Sequence, residues 1–145
     1  MKQVAVGLLL NEFGEVLMTM RGFNKPRPYM WEYPGGLIND GETPTQALAR
    51  EWKEELGLDI VPGEWITEVK LILEDTLVIH VYQVYLKPNG FSTQVPKCRE
   101  DQHGMAWANP AHSVCWRIMV PSCYLMYPSV NDLSVKTATY FGRHR

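Results

Sequence analysis

The most constraining feature of this chain is the stretch Gly35 to Leu58, GGLINDGETPTQALAREWKEELGL, in which Glu51, Glu54 and Glu55 recur at helical spacing. Residues at i, i+3 and i+4 share one arc of an α-helix, so a helix here carries three carboxylates along a single edge. Start and stop signals frame it. Thr43 suits an N-cap, Pro44 the first helical position, and Gln46 completes a Thr-x-x-Gln capping box. Gly57 stands where a left-handed C-cap is needed, so the spacing predicts a helix from about Pro44 to Leu56. Beside the acidic arc, Thr45, Leu48, Ala49, Trp52 and Leu56 make an apolar stripe that can pack on a sheet. Gln46, Arg50 and Lys53 fall on the remaining side, toward water or polar partners.

Like charges at these spacings cost an isolated helix a few tenths of a kcal/mol per pair, on the order of 0.2–0.5. A local cost kept beside a packing face points to a site, the plain alternative being a solvated acidic surface. The flanks favour the site. Gly35 and Gly36 read as a loop where backbone can approach a ligand closely, and Glu42 adds a carboxylate at the helix entrance. Clustered carboxylate and carbonyl oxygens suit hard divalent cations, and magnesium leaves positions open for phosphate oxygens and water.

Gly36, Glu42, Arg50, Glu51, Trp52, Glu54, Glu55, Gly57 and Leu58 occupy every fixed position of the Nudix box, G-x5-E-x7-R-E-U-x-E-E-x-G-U, with U a bulky apolar residue. The preceding Trp31-Glu32-Tyr33-Pro34-Gly35-Gly36 resembles the WEFPGG lead-in of MutT-type nucleoside triphosphate pyrophosphohydrolases. Weaker similarities extend this resemblance over most of the chain.

A chain of 145 residues fits one domain, taken here as residues 1–145, with a core of its own. Hydrophobic content of 46% and charged content of 21% are those of a soluble globular protein. A formal net charge of -2 argues against a nucleic-acid-wrapping surface, so no stable nucleic-acid partner is expected. Cys98, Cys115 and Cys123 are odd in number and lack CxxC spacing, which argues against a disulfide framework or zinc site and suits the cytoplasm. Val4–Leu10 reads as a buried strand, not a signal peptide, and no run is long enough for a transmembrane span.

Along the chain, Gln3–Leu10 and Glu15–Met20 read as a hairpin turning at Asn11–Gly14. Arg21 ends the second strand, where a surface salt bridge is its plain role, while the resemblance to MutT-type proteins implies a phosphate contact. Lys25 and Arg27 lie in a Pro-rich basic loop from Gly22 to Met30 that is either solvated or within reach of substrate phosphates. Trp31–Pro34 reads as a short strand; Tyr29, Trp31 and Tyr33 can stack on a base, with core packing the alternative. Asp59–Glu64 reads as a turn region, and Trp65–Leu73 and Leu77–Leu86 as strands, the second apolar on both faces and therefore central. His80 reads as a hydrogen-bonded sheet histidine. Met105–Ala108 is a further strand, Ala111–Tyr127 suggests a second helix broken at Pro121, and Ser129–Arg145 reads as a polar tail.

The resemblance implies an α/β fold, a Nudix-type α/β/α sandwich around a mixed β-sheet. It implies Mg2+, with Mn2+ able to substitute, held by the Gly35 carbonyl, Glu51, Glu54, Glu55 and Glu100, with Asp101 the alternative to Glu100. Glu54 and Glu55 are then principal ligands, Glu51 a ligand or general base, Arg50 a guide for the carboxylates, and Glu42 an organiser of the loop. Arg21, Lys25, Arg27, Tyr33 and Cys123 are the expected substrate contacts. Ser122 or Cys123 stands where oxidised-guanine enzymes carry an Asn, a departure from that specificity. The implied reaction is hydrolysis of a nucleoside diphosphate linked to a further group, a triphosphate giving monophosphate and pyrophosphate. Its rivals are hydrolysis of another substrate, a nucleotide sugar, a dinucleotide or capped RNA, and a regulator that binds a nucleotide without cleaving it. The expected state is a monomer or homodimer without membrane partners.

Overall fold

The computed structural model describes residues 1–25, 28–72, 75–88, 94–97 and 102–109. Its elements in order are β1 (Lys2–Leu8), β2 (Val16–Arg21), β3 (Trp31–Glu32), β4 (Gly35–Leu37), α1 (Pro44–Leu56), β5 (Ile60–Ile72), β6 (Thr76–Leu86) and β7 (Gln102–Ala108). They form a mixed sheet ordered β4-β1-β6-β5 and an antiparallel one ordered β3-β2-β7. In the mixed sheet β1 and β6 run parallel, and the other pairs antiparallel. The helix expected from its capping signals is there, packed on mixed α/β architecture. The second helix expected at 111–127 and the tail lie outside the described residues.

Two apolar clusters follow from strand alternation. Val6, Leu8, Val16, Met18, Tyr33, Val69, Ile79 and Val81 join β1, β2, β5 and β6 on one side. Ala5, Leu9, Leu17, Leu48, Trp52, Leu56, Leu58, Ile60 and Val84 join α1 to the opposite face of the mixed sheet. β6, with a neighbour on each edge, sends Ile79 and Val81 to the first cluster and Val84 to the second, as a central strand must. His80 is hydrogen-bonded as expected, its Nε2 lying 2.9 Å from Gln3 Oε1.

Three expectations need correction. The opening hairpin exists only around its turn: Leu17 N–H donates to Leu9 O at 3.0 Å, and Asn11 Oδ1 accepts from the N–H groups of Phe13 and Glu15. Beyond that turn β1 and β2 enter different sheets. Asp59–Glu64 is not a turn, because β5 begins at Ile60 and absorbs Pro62-Gly63 in a register shift between Pro62 and Trp65. The Tyr85 ring lies against Gly63, a close cross-strand approach that a side chain there would obstruct. Finally, Trp31–Pro34 and the glycines are not one strand and a loop. β3 belongs to the antiparallel sheet and β4 to the mixed one, so Tyr33-Pro34 carries the chain between sheets.

Candidate functional site

That crossing positions the acidic helix. Pro34 O accepts from Gly7 N–H at 2.9 Å and from the Trp52 indole Nε1–H at 3.0 Å. Trp52 is fully buried, and a Cβ on Gly7 would stand 2.9 Å from its ring, so glycine at that point of β1 lets the indole lie on the strand. The helix ends are fixed locally. Thr43 Oγ1 accepts from Gln46 N–H at 3.2 Å, the Gln46 side chain answers at Thr43 N–H at 2.9 Å, and Gly57 takes a left-handed φ of 67°.

With the phase of α1 set by Trp52, the acidic arc descends from water into the protein. The Glu54 side chain is 43% exposed and Glu51 16%, while Glu55 as a residue is only 6% exposed. Glu51 packs against Gly36: a Cβ there would fall 2.6 and 2.7 Å from its carboxylate oxygens. Glu55 reaches the Gly35 backbone amide, and a Cβ on Gly35 would collide with Ala5 O. Both glycines are therefore close-approach positions, though they stand in a strand and not in a loop.

Arg50 ties the rim together. Its Nε and NH2 hold the two Glu42 oxygens at 2.8 and 2.9 Å, NH2 also reaches Leu37 O at 3.0 Å, and NH1 lies 2.8 Å from Glu51 Oε1 and 3.4 Å from Glu54 Oε2. Sequence spacing put Arg50 on the outer side of the helix; the loop carrying Glu42 folds over to meet it. Glu42 also accepts from Asn39 N–H at 2.9 Å, so it organises the loop as expected. The Arg50 hydrogen bonds, helped by the Asn39 amide, pull the Glu42 pKa down to about 2 and push that of Arg50 up.

Glu55 meets the opposite environment. Burial first, then the neighbouring Glu51 charge, pushes its pKa up to about 8, with Glu32 adding to the rise and Lys25 and the Gly35 amide opposing it. Its Oε2 is buried without a hydrogen-bond partner. An unpaired buried carboxylate oxygen beside a second carboxylate is a place where positive charge is stabilising.

Among the described residues no three acidic, His or Cys side chains stand close enough to enclose an ion, and Arg50 NH1 lies against one oxygen each of Glu51 and Glu54. The donor set is nonetheless that of a hard cation: carboxylates, with one orphaned oxygen at Glu55. The residues fit such an ion.

The expected substrate contacts divide. Arg21 pairs with Glu32 at 2.7 Å, both side chains about one-fifth exposed, and Lys25 acts electrostatically on Glu55, so both stand on the acidic site's border. Tyr33 does not offer a stacking face: it is 3% exposed and packed in the first cluster with Val6, Leu8, Val16 and Met18. The sheet crossing at Pro34 turns its ring inward. Glu100, its alternative Asp101, Arg27 and Cys123 lie outside the described residues. Sequence reasoning missed Glu32, whose pairing with Arg21 and action on Glu55 arise only when β2 and β3 align, with Thr19 opposite Glu32. No helix among the described residues is long and apolar enough to cross a membrane.

Residues 1–113 match the family model of the NUDIX domain. Over 62 residues the chain is 46% identical to an 8-oxo-dGTP diphosphatase of Haemophilus influenzae, covering 43% of this chain and 46% of that protein. Over 124 residues it is 25% identical to a CTP pyrophosphohydrolase of Escherichia coli, covering 85% of this chain and 79% of that one. The match spans about half the length of the curated 8-oxo-dGTP diphosphatases. The crystal structure of a MutT NUDIX hydrolase from Burkholderia pseudomallei superposes with a TM-score of 0.72 at 20% identity, covering 89% of this chain and 97% of that one. At that identity the likeness is one of fold.

Proposed function

Since this chain belongs to the NUDIX domain family, we propose that it is a magnesium-dependent pyrophosphohydrolase of nucleoside diphosphates linked to a further group. Its substrate is a nucleoside or deoxynucleoside triphosphate, cleaved to the monophosphate and pyrophosphate. The observation that carries this reading is the graded acidic edge of α1, ending in the buried, unpaired Oε2 of Glu55. Residues 1–145 act as one domain, as a monomer or homodimer in the cytoplasm.

Glu51, Glu54 and Glu55, with the Gly35 carbonyl and Glu100, would hold Mg2+, with Mn2+ as substitute. Such an ion supplies charge that neutralises phosphate oxygens and acidifies water at the site. The remaining work belongs to side chains. Arg50 restrains Glu51 and Glu54 while Glu42 anchors its other edge, so their carboxylates are oriented before substrate arrives. Arg21 and Lys25, with Arg27, attract the polyphosphate. Glu51, half-buried beside Gly36, takes the proton of the attacking water as general base. Water adds to phosphorus, the anhydride oxygen departs with pyrophosphate, and no covalent enzyme intermediate is required. Cys123 contacts the base.

Pyrophosphate release in Mg2+ from a panel holding CTP, 8-oxo-dGTP, the common triphosphates and a 5′-triphosphorylated RNA tests the reading. We expect turnover of at least one free triphosphate, abolished in Glu54→Gln. Turnover of the RNA alone transfers the activity to RNA ends, consistent with relatives named RNA pyrophosphohydrolase. Tight nucleotide binding without product marks a regulator.

A further inference from the structure

The β2–β3 connection contains a backbone exception. Tyr29 has φ of 63°, and among the described residues no other non-glycine has a positive φ. A bulky side chain is unfavourable in that region, and such outliers persist where the surroundings hold them, often at ligand sites. Burial does not account for this one, because Tyr29 is 51% exposed.

The surroundings that hold it are those of the site. Tyr29 N–H donates to Arg21 O, and Arg21 N–H to Met30 O, each at 2.9 Å. The strained residue is therefore fastened to the strand end from which Arg21 reaches Glu32. Within the same connection Lys25 acts on Glu55. The end of β2 and the connection after it thus bring two cations to the border of the acidic edge, and the backbone of a half-exposed tyrosine is bonded to the first of them. A nucleotide has matching parts: a polyanion and a flat base.

We propose that Tyr29 stacks on the base of the nucleotide whose phosphates meet Arg21 and Lys25, and so adds affinity for the nucleoside. The proposal rests on the function proposed above. Stacking reads the face shared by all bases, so it adds affinity with modest selectivity, favouring larger ring systems.

Steady-state kinetics on the full chain, with inorganic tripolyphosphate as a competitor that has no base, test this. Tyr29→Gly accepts the backbone without strain and removes only the ring. We expect it to raise KM for triphosphates about tenfold, within the range of base–aromatic stacking, with kcat and tripolyphosphate inhibition within about twofold of the parent. Tyr29→Phe and Tyr29→Trp should restore KM. Phe23→Ala, which removes another exposed ring of the same loop (75% exposed), should leave KM unchanged. An unchanged KM in Tyr29→Gly, an equal effect of Phe23→Ala, or a parallel loss of tripolyphosphate inhibition overturns the stacking role while the hydrolase reading stands. An unmodified chain that turns over no nucleotide overturns both.

Discussion

At the rim of the acidic edge, Glu42 receives both Nε and NH2 of Arg50 and the Asn39 amide, and its pKa falls to about 2. At the floor, Glu55 lies buried with one oxygen unpaired and its pKa pushed up to about 8. The residue type is the same and the two belong to one helix and its entry loop. The first has spent its charge on a guanidinium and is a strut. The second holds a demand for positive charge that no neighbour fully meets. Position along the edge, not composition, separates scaffold from chemistry.

The contrast predicts its largest effect in catalysis. Glu54→Gln and Glu55→Gln should each lower kcat/KM by about 10³ or more, the size expected when a principal charge-stabilising group is lost. Circular dichroism should show both folded. If Glu42→Gln fell as far, rim and floor would not differ in kind.

Metal-free stability should separate them next. Folding raises the Glu55 pKa from an ordinary 4.5 to about 8, so the folded chain binds that proton more tightly than the unfolded one. The stabilisation is complete below about pH 4.5 and is lost as pH rises through 8, on the order of 5 kcal/mol in all. Urea unfolding in a chelator should show this slope, and Glu55→Gln should flatten it. Added Mg2+ should stabilise most at high pH, where the carboxylate is ionised. Glu42 has the opposite sign: its contribution is present above pH 4.5 and is lost as pH falls toward 2.

A smaller effect sharpens the wall between them. Gly36→Ala places a methyl group against the Glu51 carboxylate and should lower kcat/KM about 10²-fold, because a shift of about 1 Å suffices for that loss. Thermal unfolding should change little. The smallest effect is Trp52→Phe, which removes the bond to Pro34 O and should cost about 1–2 kcal/mol of stability, read by denaturant midpoint.

What the sequence made legible was local. Thr43, Pro44, Gln46 and Gly57 fixed α1 at both ends, because caps are satisfied within a few residues. The three-carboxylate edge followed from spacing alone. Sheet membership did not. β1 and β2 pair only near Asn11–Gly14 before parting, and nothing local to their apolar residues says which sheet each joins. Pro62-Gly63 carried a turn signal that a register shift in β5 overrode. Depth was equally hidden: Glu51, Glu54 and Glu55 share an arc, yet their exposure differs because β4 lies under one end of it. Tyr33 could not be assigned before the sheet crossing turned it inward.

The Pro34 carbonyl, gripped by Gly7 from below and by the Trp52 indole from above, acts as an indexing pin for the helix. A helix advances about 100° per residue, so slippage by a single position would swing Glu55 out to water and bring Leu56 or Glu54 into its place. Substitutions at Gly7, Pro34 or Trp52 therefore threaten the angular setting of the carboxylates, although none of those three residues carries a charge.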